Sequence, residues 1–152
     1  MKEPKHIELK GNCHYPVSSY IQSNLPIIMK MVEKLKPEID DDSELILWCR
    51  GSSGAIIAAV MATMINNAKI SHVKKEGEGS HSNIVSCHPE DKKKAVNVIV
   101  DDFMSSGETL NAIYEAMQVY KCKVHGLCIS GSVYKSRLKF TPKFIVCGSV
   151  SE

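Results

Sequence analysis

The stretch that decides the fold is Val98-Ile99-Val100-Asp101-Asp102-Phe103-Met104-Ser105-Ser106-Gly107-Glu108-Thr109-Leu110. An apolar strand ends in two carboxylates, and a short Ser/Gly turn then opens a helix. In open α/β sheets, ligands gather beyond the carboxyl ends of the strands. The first turn of the following helix presents unpaired backbone N–H groups and the positive end of its dipole, which together attract an anion. Gly107 allows the backbone to approach that anion closely, while Ser105, Ser106 and Thr109 add hydroxyl donors. Two acids beside an anion site suit ribose hydroxyls, or water on a hydrated Mg²⁺.

A plainer reading explains part of the pattern. Ser105-x-x-Glu108 is also a capping box, and paired acids can simply end a strand in solvent. The cap accounts for Ser105 and Glu108, but not for the acids closing an apolar run or for Gly107 at a helix start. A Walker-type phosphate loop is excluded because no Gly-Lys-Ser/Thr occurs. The G-x-G-x-x-G fingerprint fails as well, since Ser82 stands where a third glycine would follow Gly77 and Gly79.

Outward from this stretch, apolar strands alternate with helical patterns. Leu45–Cys49 reads as a strand buried on both faces, followed by a helix over Gly54–Asn67. Lys69–Lys74 and Val96–Val100 are further strands, and Gly107–Tyr120 is a helix with Leu110, Ile113 and Met117 on one face. Val124–Ser130 and Phe144–Cys147 complete the strands. Ser23–Lys36 is helical, with Pro26 tolerated only in its first turn. The pattern predicts one α/β domain over 1–152, with a mainly parallel central sheet and helices on both faces. The segment 75–94, with few large apolar residues, reads as a flexible loop.

Bulk properties narrow the partners. With 152 residues, 43% of them hydrophobic and 24% charged, the chain has the composition of a folded domain. A net charge of +2 and only 6% aromatics argue against a nucleic-acid binder. No run is long enough to cross a membrane, and the charged start MKEPKHIELK does not read as a secretory leader. The six cysteines form no C-x-x-C pair and read as reduced thiols, so a cytoplasmic protein is expected.

The quoted stretch resembles the phosphoribosyl pyrophosphate signature of type I phosphoribosyltransferases: apolar strand, two acids, two variable residues, then Ser/Thr-Ser/Thr-Gly-x-Thr. The resemblance implies that Asp101 and Asp102 hold the ribose hydroxyls and, through water, Mg²⁺. It gives the 5′-phosphate to Met104, Ser105, Ser106, Gly107, Glu108 and Thr109, and puts Phe103 next to the base. Cys49-Arg50-Gly51-Ser52-Ser53-Gly54 is similar to the pyrophosphate loop of adenine phosphoribosyltransferases, in which a non-proline cis peptide is expected. Val73-Lys74-Lys75-Glu76-Gly77-Glu78-Gly79-Ser80-His81-Ser82 resembles the start of the catalytic flexible loop, comparable to orotate enzymes. It adds Lys74 and Lys75 to the pyrophosphate contacts, Lys75 among the catalytic residues together with Asp101 and Asp102, and His81 as a further candidate. Lys92-Lys93-Lys94 reads as a solvated turn.

Departures from the family pattern bear on the acceptor. Enzymes for 6-oxopurines place an acid at the start of the phosphate loop, where this chain has Met104 and Ser105. Uracil enzymes replace the second acid with proline, where this chain keeps Asp102. Adenine and orotate enzymes fit better, with any base-covering hood drawn from 1–42 through His14, Tyr15 or Tyr20. The implied protein is an Mg²⁺-dependent homodimeric phosphoribosyltransferase of nucleotide metabolism and nucleobase salvage, acting on a nucleobase-like acceptor. The alternative is a non-catalytic regulator that binds phosphoribosyl pyrophosphate or a nucleotide through the same loop.

Overall fold

The computed structural model describes residues 2–75 and 95–152. In chain order the elements are β1 (Lys5–Glu8), α1 (Ile21–Leu35), β2 (Glu44–Arg50), α2 (Gly51–Met64), β3 (Ala68–Val73) and β4 (Ala95–Val100), followed by α3 (Glu108–Val119), β5 (Gly126–Cys128), β6 (Ser132–Tyr134), β7 (Phe144–Cys147) and β8 (Ser149–Ser151). Six strands form one sheet in the order β1-β7-β5-β4-β2-β3, and every neighbouring pair is parallel. β6 and β8 pair separately at its edge.

Covering helices explain why the central strands are apolar without interruption. On one face Leu45, Leu47, Cys49, Val98 and Val100 meet Ile28 and Met31 of α1 and Ile57 and Met61 of α2. On the other face Ile46, Trp48, Ile99 and Leu127 meet Leu110, Ile113 and Met117 of α3. The i, i+3, i+7 spacing in α3 puts these three on one side, and each is essentially inaccessible to water. Burying such a side chain stabilises the fold by roughly 1.5–3 kcal/mol.

One buried polar chain crosses the middle of the sheet. The Trp48 indole N–H donates to Asn97 Oδ1 at 2.9 Å, joining β2 to β4. The backbone N–H of Asn97 in turn donates to His125 Nδ1 at 3.0 Å, and burial pushes that half-buried ring below the usual imidazole range.

Several boundaries differ from the sequence reading. α1 begins at Ile21, so Pro26 lies inside the helix, where it withholds one backbone donor. α2 begins at Gly51, three residues before the predicted start, and stops at Met64; Asn67 then turns with φ 60° and bonds back to Ser43 O. Strand β5 is shorter than Val124–Ser130, and β3 ends before Lys74. The edge strand β1 was not predicted, because the charged KHIE gives no burial signal. Apart from Lys75, the flexible loop expected over 75–94 lies outside the described residues, and so do His81 and Lys92–Lys94.

Candidate active site

The strand order reverses between β2 and β4. The chain leaves β2 through α2 toward β3, but leaves β4 through α3 toward β5, in the opposite direction. Diverging crossovers open a crevice at the carboxyl ends of these neighbouring strands, the standard position for a ligand in such sheets. Arg50 ends β2 and Asp101 follows β4, so both predicted loops meet at this crevice.

Each loop leads directly into a helix. Gly51 turns the corner after β2 with φ 80°, and no side chain caps the α2 N-terminus. Gly107 does the same before α3, with φ 87° and no side chain of its own to cap the helix. Two helix starts therefore bring backbone donors and positive dipole ends to one crevice. Among the described residues the sole cis peptide bond is Tyr15–Pro16, so the cis bond expected after Arg50 is absent. The positive φ of Gly51, which costs glycine little, turns the chain there instead.

The capping box also needs correction. The helix starts two residues later than that reading requires, with Gly107 as its cap. Ser106 Oγ, not Ser105, accepts a bond from the Glu108 amide, at 3.2 Å. Ser105 and Ser106 are thus exposed on the loop, Thr109 is half-buried, and Gly107 is buried.

The acids follow β4, with Asp101 against the first turn of α2 at Gly54. Asp101 is buried and 7% exposed, and its Oδ1 accepts the Asp102 amide at 2.9 Å. Asp102 Oδ1 accepts the Phe103 amide at 2.7 Å. Burial first, and then the charge of Asp102, push the Asp101 carboxyl up to about 8, while Lys75 opposes the rise. Lys75 reaches the site by lying over Gly51, with its Nζ 3.3 Å from where a β-carbon on that glycine would stand. Lys74, half-buried, follows β3 with its neighbour and is not the lysine found over Gly51. Ser52 is exposed and Ser53 half-buried in the first turn of α2.

Three contributors escaped the sequence reading, and a fourth, Gly54, was read only as part of the loop after β2. Gly54 lets α2 close on β4, because a β-carbon there would sit 3.2 Å from Val100 O and 3.4 Å from Asp101 Oδ1. Ser130 is fully buried, and its hydroxyl donates to Asp102 O at 2.8 Å while accepting the Cys13 amide at 3.1 Å. One hydroxyl thereby ties the N-terminal segment to the acid pair. Arg137 donates from Nη1 to Ser105 O at 2.7 Å and lies 4.3 Å above the Tyr134 ring. Its own carbonyl accepts Asn111 Nδ2 at 2.9 Å, bracing the loop before α3 from behind. Of the three, only Ser130 carried a signal, as a hydroxyl at the carboxyl end of a strand.

Phe103 is 37% exposed and its ring lies against Gly131, with Asn12 of the N-terminal segment beside the same glycine. That segment is held by Asn24, which accepts the His14 amide at 2.6 Å and donates to His14 O at 3.0 Å. Tyr15 and Tyr20 remain exposed, and the His14 ring is 6.3 Å from that of Tyr20. Met104 points away into packing, where its sulfur accepts the Tyr134 amide at 3.5 Å.

A crevice at two glycine-turned helix starts, with two neighbouring acids after β4, is the arrangement of an α/β protein with a ligand site at the carboxyl ends of its strands. The chain belongs to the phosphoribosyl transferase domain family, whose model matches residues 20–145, and is a phosphoribosyltransferase. No curated protein sequence matches it. Among solved structures, it is similar to an adenine phosphoribosyltransferase from Thermoanaerobacter pseudethanolicus (TM-score 0.61, 13% identity), covering 87% of this chain and 85% of that one. It is also similar to an APRTase from Giardia lamblia complexed with 9-deazaadenine (TM-score 0.59, 13% identity, 88% and 84% covered). A hypoxanthine-guanine phosphoribosyltransferase from Bacillus anthracis gives a TM-score of 0.55 at 15% identity, with 81% and 73% covered. At these identities the likeness is one of fold.

Proposed function

We propose that the protein transfers ribose 5-phosphate from phosphoribosyl pyrophosphate to a nucleobase, with adenine or orotate as acceptors ahead of 6-oxopurines and uracil. The observation that carries this reading is the pair of glycine-turned helix starts that meet at the crevice holding Asp101 and Asp102. Two anionic ends joined by a ribose match two donor-rich turns with hydroxyl acceptors between them. In this reading Ser105, Ser106, Gly107, Glu108 and Thr109 surround the 5′-phosphate, while Arg50, Gly51, Ser52, Ser53 and Lys75 face the pyrophosphate.

The reaction forms a bond from a base nitrogen to the anomeric carbon and breaks the bond from that carbon to pyrophosphate, which leaves with the electron pair. Lys75 and the first-turn amides of α2 stabilise the charge growing on the leaving group, and no covalent enzyme intermediate is required. The donor set fits Mg²⁺ held largely by substrate oxygens and water. Two carboxylates stand together, and no group of three or more metal-binding side chains occurs among the described residues. Such an ion, when bound, supplies charge neutralisation at the pyrophosphate.

The acceptor preference rests on Met104, whose side chain is committed to packing, and on the lack of an acid at Ser105. A homodimer is also expected. A pyrophosphate-release screen over adenine, orotate, hypoxanthine, guanine and uracil, with Mg²⁺ present, tests the whole reading. Release with adenine or orotate is expected. Tight donor binding in calorimetry without release under any base would instead identify a sensor. Changing both Asp101→Asn and Asp102→Asn should lower turnover at least about a hundredfold.

A further inference from the structure

The opposite end of the sheet carries a feature that phosphoribosyl transfer does not use. Where α3 ends and β5 and β7 begin, a cleft of about 770 Å³ is lined by Lys121, Lys123, Lys139 and Lys143, together with Tyr114 and Phe140. Four cations line this one cleft in a chain whose net charge is only +2. Lys139 is offset by Glu115 at 2.9 Å. No ion pair to an acid among the described residues is found for Lys121, Lys123 or Lys143.

Position argues against accidental scatter. Lys121 turns with φ 56° just after α3, where a cation complements the helix dipole, which accounts for one lysine. It does not account for Lys139 and Lys143, which come from a different segment of the chain. His125 lies beside this cluster, half-buried, and its ring is pushed below the usual imidazole range first by burial and then by Lys143 and Lys123. Like charges gathered on one cleft repel one another, and a multiply charged anion between them would relieve that repulsion. Tyr114 and Phe140, stacked with centroids 5.2 Å apart, form an aromatic wall along the same cleft.

We infer that this cleft is a second anion site, which binds an oligophosphate group between Lys121, Lys123 and Lys143. The group can belong to a nucleotide or to a free polyphosphate, and the lysines recognise what the two share. The site is separate from the crevice at Asp101, since it lies at the other end of α3 and of the parallel strands.

Amide-resolved NMR of the full chain, titrated without Mg²⁺ with ATP and separately with inorganic tripolyphosphate, tests the inference. Shifts are expected at Tyr114, Lys121–Lys123 and Phe140–Lys143, as a set distinct from any at 104–109. Stronger shifts with ATP would assign the site to nucleotides through the aromatic wall, whereas equal shifts would assign it to the phosphate chain. A Lys123→Gln, Lys143→Gln variant should weaken binding at the cleft about tenfold, leaving the response at 104–109 intact. The affinity at the cleft should also fall as salt rises from 50 to 200 mM, roughly the range over which charge screening grows. Shifts confined to 104–109, absent everywhere, or unchanged at the cleft in the folded variant would overturn the inference.

Discussion

At the scale of single residues, Asp101 shows how a site is set against stability. Its carboxyl titrates near 8 in the folded protein because burial and Asp102 disfavour its charge. An unfolded chain would release that proton near 3.8. Between these values the folded state holds a proton that the unfolded state has lost, so stability falls as pH rises through this window. His125 acts with the opposite sign, since its ring is held below 6.5 by burial, and its contribution ends near that pH. From pH 6.5 to 7.5 the ligand-free protein should therefore lose about 1 kcal/mol of stability through Asp101. Urea melts across that range check this, and Asp101→Asn should flatten the dependence. A flat wild-type profile would mean that the carboxyl is not desolvated.

At the scale of elements, the loop before α3 depends on a glycine held from behind. A β-carbon on Gly107 would lie 2.8 Å from Arg137 O, at a φ of 87° that alanine adopts only with strain. Gly107→Ala should cost about 1–3 kcal/mol in a denaturant melt and raise the KM for phosphoribosyl pyrophosphate. Unchanged KM and stability would show that the loop has room to shift. Elements were also where the sequence was most readable. The run Leu45–Cys49 and the spacing of Leu110, Ile113 and Met117 announced β2 and α3, because burial on both faces or on one stripe leaves a periodic trace. β1 left no such trace, since its outer position keeps His6 and Glu8 in contact with water. The support from Arg137, Ser130 and Cys13 was invisible for a different reason. These contacts join segments 28–117 residues apart through single hydrogen bonds, which no local spacing encodes. The acids, Gly107 and the loop after β2 were legible because strand ends concentrate chemistry in short stretches.

At the scale of the whole molecule, the site exists only when β2 and β4 lie side by side, although a whole helix and a further strand separate them in sequence. The bond from Trp48 to Asn97 spans that junction. Asn97→Ala should leave the indole N–H without an acceptor in the core and cost about 1–3 kcal/mol. Equilibrium unfolding followed by tryptophan emission and by far-ultraviolet circular dichroism should give one coincident transition, displaced to lower denaturant with an unchanged slope. Divergent transitions would show that the two halves of the sheet separate before the helices melt. Because Trp48 is the sole tryptophan in the chain, its emission is a built-in gauge of the seam on which the crevice is founded. Any loss of that seam, whether by mutation, heat or partial synthesis, can be read optically before an activity assay is attempted.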